Sequence, residues 1–156
     1  MAVPLSQAIA LRATLRARDE FSRALRALPP ARLLWQPGGL APHALRIAAH
    51  CATSNLFLAA VFSGTELPYR TEDDRRAAID ECATLERAEA LLNRSVTAVC
   101  DAIVTVPDRR LDDPVSMPWG ERMPLALGLL SPCEHMQYHL GQLNLIQTLL
   151  GDDDYH

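Results

Sequence analysis

The sequence predicts an all-α protein, a four-helix bundle with a long crossover before the last helix. Hydrophobic residues make up 49% of the chain but aromatic residues only 5%, and alanine and leucine, which have high helix propensity, supply most of the apolar fraction. Four segments of about twenty residues or more carry apolar side chains at helical spacing. No set of alternating segments indicates a sheet, so facing helices are expected to bury the core.

The bundle is expected to form one domain over residues 1–156, since a chain of this length can bury a sufficient core. Its formal net charge is −4, whereas a nucleic-acid partner requires a basic face. The arginines of the first helix fit a solvated helix face better than a nucleic-acid site. They are Arg12, Arg16, Arg18, Arg23 and Arg26. We therefore expect no nucleic-acid partner.

Cysteine usage and apolar runs predict a reduced, soluble, cytoplasmic protein. The four cysteines form no C-x-x-C pair and fall in helical segments, where free cysteine is a common small apolar residue. The longest clearly apolar run, Leu56–Phe62, is far shorter than the ~20 residues of a membrane helix. Residues 1–9 lack the basic start and long apolar core of a signal peptide. We expect no membrane partner.

Proline and glycine bound the first two helices. Helix 1 is predicted over Leu5–Leu28, because Pro4 suits a first helical turn and Pro29-Pro30 ends a helix. Helix 2 is predicted from about Pro42 to Ser63 and ends at Gly64.

Helix 2 carries apolar residues on two faces, which predicts that it is either central to the bundle or part of a subunit interface. One face carries Leu45, Ala48, Ala49, Ala52, Leu56 and Ala60. The opposite face carries His43, Ile47, His50, Ser54, Phe57 and Val61. An unpaired imidazole at His50, on an apolar face, would be costly.

Helix 3 is predicted to begin after Thr71, whose hydroxyl can cap the first turn, and to continue to about Val104. Residues 108–122 contain two prolines and no helical period, so they form the crossover, which has room for a short hairpin over residues 115–123.

The last helix is predicted from about Pro124 to Leu150, kinked or briefly broken at Pro132. Alternatively, it begins at Ser131, where Ser131 and Glu134 match a capping box with proline at the first helical position.

The candidate site rests on His135 and His139. Four residues apart on a helix, their side chains lie about 40° apart around the axis, one turn above the other. Both rings can turn toward one point, as two ligands of a divalent metal must. His50 on helix 2 can supply a third ligand, because packed helices lie about 8–10 Å apart. Three protein ligands leave a position for water or substrate, as in catalytic sites.

The same residues resemble a family. The segment from His135 to Leu143, which reads H-x-x-x-H-x-G-Q-x, together with Leu45–His50 after a Pro-Gly loop, looks like the DinB-like superfamily. This group includes YfiT-like metal-dependent hydrolases and thiol-dependent transferases. The resemblance implies a four-helix bundle with a long crossover and a metal, zinc or nickel, held by His50, His135 and His139. It also implies a homodimer that pairs through helix faces.

Neighbouring residues fit other roles. His43 fits a helix-start surface residue, and Cys133 and Glu134 are directed away from the side of the helix that carries the histidine pair. Gln142 or Ser54 could orient the ligands. A zincin requires glutamate directly after the first histidine, where this chain has Met136. A ferritin-like di-iron site requires Glu-x-x-His pairs, which the sequence lacks.

Two functions follow, and the sequence leaves both open. The first is a metalloenzyme acting on a small-molecule substrate, such as a thiol adduct, with a low-molecular-weight thiol as cofactor. Transfer to an electrophile comes before hydrolysis, since three neutral ligands leave the ion's charge free to attract an anion. The second is a non-catalytic dimeric stress-response module that binds a metal or ligand. A purely structural bundle is a weaker third possibility. No general acid or base can be assigned.

Overall fold

The structure is a computed structural model that describes residues 4–117, 119–154 and 156. These residues form an all-α fold with one small two-stranded sheet, which confirms the predicted class. The elements are α1 Leu5–Ala27, α2 Ala44–Ser63, α3 Glu72–Asp80, α4 Leu85–Thr105, β1 Pro114–Ser116, β2 Arg122–Pro124, α5 Leu125–Gly128 and α6 Ser131–Leu149.

The first two helices lie within two residues of their predicted bounds. Pro4 precedes α1, and the chain leaves the helical conformation at Leu28 before Pro29. The N-cap of α2 is His43, whose Nδ1 accepts a hydrogen bond from the backbone N–H of Arg46 at 3.2 Å. Gly64 ends α2 with φ of 66°, a left-handed conformation that glycine adopts without steric cost.

The prediction of one long third helix is wrong, because two helices, α3 and α4, occupy that segment. Thr71 caps α3 as predicted, in a capping box with Asp74. A second cap follows at Thr84, whose hydroxyl accepts a hydrogen bond from the backbone N–H of Arg87 at 3.2 Å. That local bond offers the backbone an alternative to continuing the helix.

The crossover contains the predicted hairpin. β1 and β2 pair antiparallel, with Val115 opposite Met123. The predicted helix beginning at Pro124 is broken at residues 129–130, between α5 and α6. α6 begins at Ser131 with Pro132 in its first turn, but no side chain caps it. The predicted capping box of Ser131 is therefore wrong, whereas the alternative helix start at Ser131 is confirmed. The break lies at residues 129–130 and not at Pro132.

Four long helices form the bundle: α2 packs against α4 and α6, and α1 packs against the same two helices. α3 lies on the outer side of α2. The largest fully buried side chains are Phe21, Phe62, Leu25, Leu45, Ile47, Leu58, Leu92, Ile103, Leu125, Leu129, Met136 and Leu143. Burying an aliphatic or aromatic side chain of this size contributes about 1.5–3 kcal/mol.

α2 is the central helix of the bundle, which was one of the two predicted alternatives. Within the described part of the chain, it is the one helix long and apolar enough to cross a membrane, but 67% of its most apolar window is buried. Neighbouring helices of the same chain thus cover it, as in the core of a soluble protein. The homodimer implied by the family resemblance stays a prediction.

Candidate metal centre

The three predicted histidines meet at the contact between α2 and α6. The Nε2 atom of His135 lies 3.2 Å from Nε2 of His50 and 3.1 Å from Nε2 of His139. The ring centroids are 4.5–5.0 Å apart, and one nitrogen from each ring lies within 4.8 Å of the others. Three imidazole nitrogens therefore face a common centre. Metal binding by these residues stays a prediction.

Burial keeps the three rings neutral near pH 7. Burial first, and then the charges of His139 and Arg75, lower the pKa of His50 to about 4. Burial, together with the other two imidazoles, lowers the pKa of His135 to about 3. Burial also lowers the pKa of His139, although the hydrogen bond to Gln142 opposes it. A neutral imidazole has one nitrogen lone pair available.

For His139 and His50, a contact on the far side of the ring decides which nitrogen carries the proton. The Nδ1 of His139 lies 2.7 Å from Oε1 of Gln142, an acceptor, so His139 carries its proton on Nδ1 and presents a lone pair at Nε2. The Nδ1 of His50 lies 3.1 Å from Nη2 of Arg75. Arginine only donates, so a neutral His50 carries its proton on Nε2.

No arrangement of protons satisfies all three rings. With a proton on Nε2, His135 donates to His139 but opposes the N–H of His50. Without that proton, His135 accepts from His50 but faces the lone pair of His139. In either state, its buried Nδ1 has no hydrogen-bond partner among the described residues, a condition that costs about 1–3 kcal/mol.

A divalent cation fits this donor set. At the centre it would accept a lone pair from each Nε2, which removes the conflict among the three nitrogens. Gln142 already holds His139 in the required form, and oriented outer partners of this kind are typical of metal-binding histidines. Arg75 is the exception, since it favours the opposite form of His50.

A cavity of about 360 Å³ opens beside the three rings. Its lining includes two of the histidines, Gln142 and three arginines of α2 and α3. The residues are Pro42, Arg46, Ile47, His50, Glu72, Arg75, Arg76, Ile79, His139 and Gln142. A smaller cavity of about 250 Å³ is lined by His135, Trp119, Ser131 and Glu134. A small molecule can therefore approach the histidine cluster without unfolding the bundle.

Comparison with known proteins identifies the family. The DinB superfamily matches residues 13–143, which is most of the chain. The chain belongs to the DinB superfamily. No curated protein matches its sequence.

Solved structures share the DinB fold. A conserved protein from Enterococcus faecalis has a TM-score of 0.77 at 18% identity, covering 97% of this chain and 100% of that chain. A DinB-like protein from Bacillus cereus ATCC 10987 has a TM-score of 0.67 at 17% identity, with 91% of each chain covered.

A mycothiol-dependent maleylpyruvate isomerase has a TM-score of 0.73 at 17% identity. The alignment covers 88% of this DinB chain but 60% of the isomerase. At these sequence identities, the similarity to the three solved structures shows a shared fold alone.

Of the two residues predicted to orient the ligands, only one contacts a histidine ring in the described part of the chain. Gln142 orients His139, whereas Ser54 contacts Arg75 at 3.1 Å. Cys133 and Glu134 lie outside the cluster of potential ligands found among the described residues. Arg75 was missed, because no spacing in the sequence shows that a residue of α3 faces a histidine of α2.

Proposed function

We propose that this protein is a metal-dependent enzyme of the DinB superfamily, with a divalent transition metal, zinc or nickel, held by His50, His135 and His139. The observation that supports it is the set of three Nε2 atoms whose lone pairs and protons cannot be matched among themselves. One cation resolves that conflict, whereas a structural role for three neutral histidines would retain it.

The proposed chemistry is the activation of a small anionic nucleophile. A divalent ion at this centre would supply Lewis acidity and lower the pKa of a bound thiol or water. Around it, Gln142 holds the ring of His139, and the cavity of about 360 Å³ binds the substrate.

Thiol chemistry is the first reaction class to test. A protein with the same fold is a mycothiol-dependent maleylpyruvate isomerase, so the fold supports a reaction that uses a thiol cofactor. This chain spans 60% of that protein's length, and we therefore propose the class, transfer or rearrangement of a thiol adduct, without its substrate. Hydrolysis is the second class.

The ligand set is tested by elemental analysis of protein purified without an affinity tag. We expect close to one transition metal per chain, and its loss in His139→Ala. His156→Ala is the matched control, since this histidine contacts Asp152 rather than the cluster. Stoichiometric metal in His139→Ala would contradict the proposed ligand set.

Turnover distinguishes an enzyme from the alternative, a non-catalytic dimeric module. The protein is loaded with zinc or nickel and assayed with a panel of small thiols and electrophiles. Product that disappears with a chelator and in His139→Ala supports the enzyme. Saturable binding of thiols without product would contradict the enzyme and favour the binding module.

A further inference from the structure

Arg75 occupies a position beside His50 that metal-binding histidines normally give to an acceptor. Its Nη2 contacts Nδ1 of His50 and Oγ of Ser54, each at 3.1 Å. Its Nε contacts Oγ1 of Thr53 at 3.3 Å, and its Nη1 lies 3.4 Å from a carboxylate oxygen of Glu72. The side chain is 21% exposed. These contacts hold the guanidinium between the histidine cluster and the cavity.

The contact between Arg75 and His50 is incompatible with a metal at Nε2. A neutral imidazole that binds a cation through Nε2 carries its proton on Nδ1 and donates it to a carboxylate, carbonyl or water. A guanidinium cannot accept that proton. With a metal bound, the N–H of Nδ1 of His50 and the N–H of Nη2 of Arg75 would face each other. The positive charge of Arg75 would also lie next to a ring that binds the cation.

A guanidinium released from its contact with His50 can enter the adjoining cavity. Ser54 and Thr53 are neutral, and Glu72, whose side chain is 65% exposed, forms only a long ion pair with it. The cavity borders the guanidinium directly. Of the three arginines that line the cavity, Arg75 is the one that contacts a histidine of the cluster among the described residues. Arg75 is therefore the arginine whose partners change when the cluster is filled.

We propose that Arg75 is a metal-dependent anion-binding residue: metal binding at His50 releases its guanidinium, which then binds a carboxylate of the substrate in the adjoining cavity. The inference rests on the proposed function and extends it to a substrate class, small molecules that carry a carboxylate besides the reacting group. Arginine binds carboxylates through two parallel N–H donors, which also fixes the orientation of the substrate.

The first test is the affinity for zinc, measured by competition with a chromogenic chelator. Removing the opposing guanidinium in Arg75→Gln or Arg75→Met should lower the Kd for zinc at least about tenfold. Arg12→Gln is the matched control, because Arg12 is an exposed arginine of α1 that does not line the cavity. Its Kd should stay within about twofold of the original. Circular dichroism checks that each variant is folded.

The second test is the binding of succinate, measured by calorimetry with and without zinc. The zinc-loaded protein should bind succinate at least about tenfold more tightly than the zinc-free protein. Arg75→Gln should lose most of this gain even though it binds zinc more tightly, and Arg12→Gln should keep it. This opposite response of the two affinities is not expected of a residue that merely supports the fold.

The outcomes separate the inference from the proposed function. Zinc binding by the original protein with unchanged or weaker binding by both Arg75 variants would overturn the inference and leave the metal site standing. Tighter zinc binding with unaltered succinate binding would overturn the anion-binding role. Failure of the original protein to bind either zinc or nickel would overturn the proposed function and this inference with it.

Discussion

At the scale of single residues, Gln142 holds the ring of His139 in the form that the proposed cation would require. Its carbonyl oxygen accepts a hydrogen bond from Nδ1 of His139 at 2.7 Å, which leaves Nε2 as a lone pair. We predict that Gln142→Leu weakens zinc binding by about 10–100-fold, the usual effect of losing such a partner. The measurement is zinc affinity by chelator competition.

Gln137→Leu is the control for that prediction. Gln137 lies on the same helix but donates its hydrogen bond to Glu20. Its replacement should leave zinc affinity unchanged. Equal losses in the two variants would indicate that α6 is disturbed as a whole and that Gln142 has no particular role.

The site residues that could be predicted depend on nearby sequence, whereas the residue that was missed depends on how two helices pack. The spacing of His135 and His139 fixes their common direction once a helix forms, so the pair could be predicted. His50 required the assumption that helix 2 faces the last helix, which the bundle satisfies. Arg75 reaches His50 only because α3 folds back on α2, and this packing leaves no pattern in the sequence around it.

At the scale of elements, the separation of α3 from α4 depends on a cap. The hydroxyl of Thr84 accepts from the backbone N–H of Arg87, so we predict that Thr84→Ala lowers the free energy of unfolding by about 1 kcal/mol. Urea titration measures it. Thr97→Ala is the control, since Thr97 is exposed within α4 and alanine there should preserve or slightly raise stability. A smaller loss at Thr84 than at Thr97 would contradict the role of the cap.

Element boundaries could be predicted where proline or glycine ends a helix. Pro29 and Gly64 mark the ends of α1 and α2 closely. The break before α4 was missed because Cys82 and Leu85 keep the apolar stripe continuous across it, and both side chains pack on the core. A threonine cap within a continuous apolar stripe is a weaker signal than the stripe itself. The prediction from apolar spacing therefore treated α3 and α4 as one helix.

At the scale of the whole molecule, the histidine cluster links stability to pH. Unfolded histidine has a pKa near 6.5, whereas burial lowers the pKa of His50 to about 4 and that of His135 to about 3. Protons therefore bind the unfolded chain first. The free energy of unfolding is therefore unaffected by protonation of these two histidines above about pH 6.5, and it decreases as the pH falls toward their pKa values in the folded protein.

We predict that metal-free protein loses free energy of unfolding between pH 7 and pH 5, measured by urea titration in the presence of a chelator. His135→Gln should show a shallower dependence on pH, because one buried imidazole is gone. His156→Gln should keep the original slope, as that ring lies outside the cluster. Parallel slopes for all three proteins would contradict the burial of neutral imidazoles.

The central claim is that α2 and α6 hold one divalent ion between three imidazoles. X-ray absorption spectroscopy of the zinc-loaded protein tests this claim most directly, since it counts the imidazole ligands around the ion. We predict one zinc per chain with three imidazole nitrogens, and the loss of that signal in His139→Ala. Zinc bound with one imidazole or none, or an unchanged spectrum in the variant, would contradict the account.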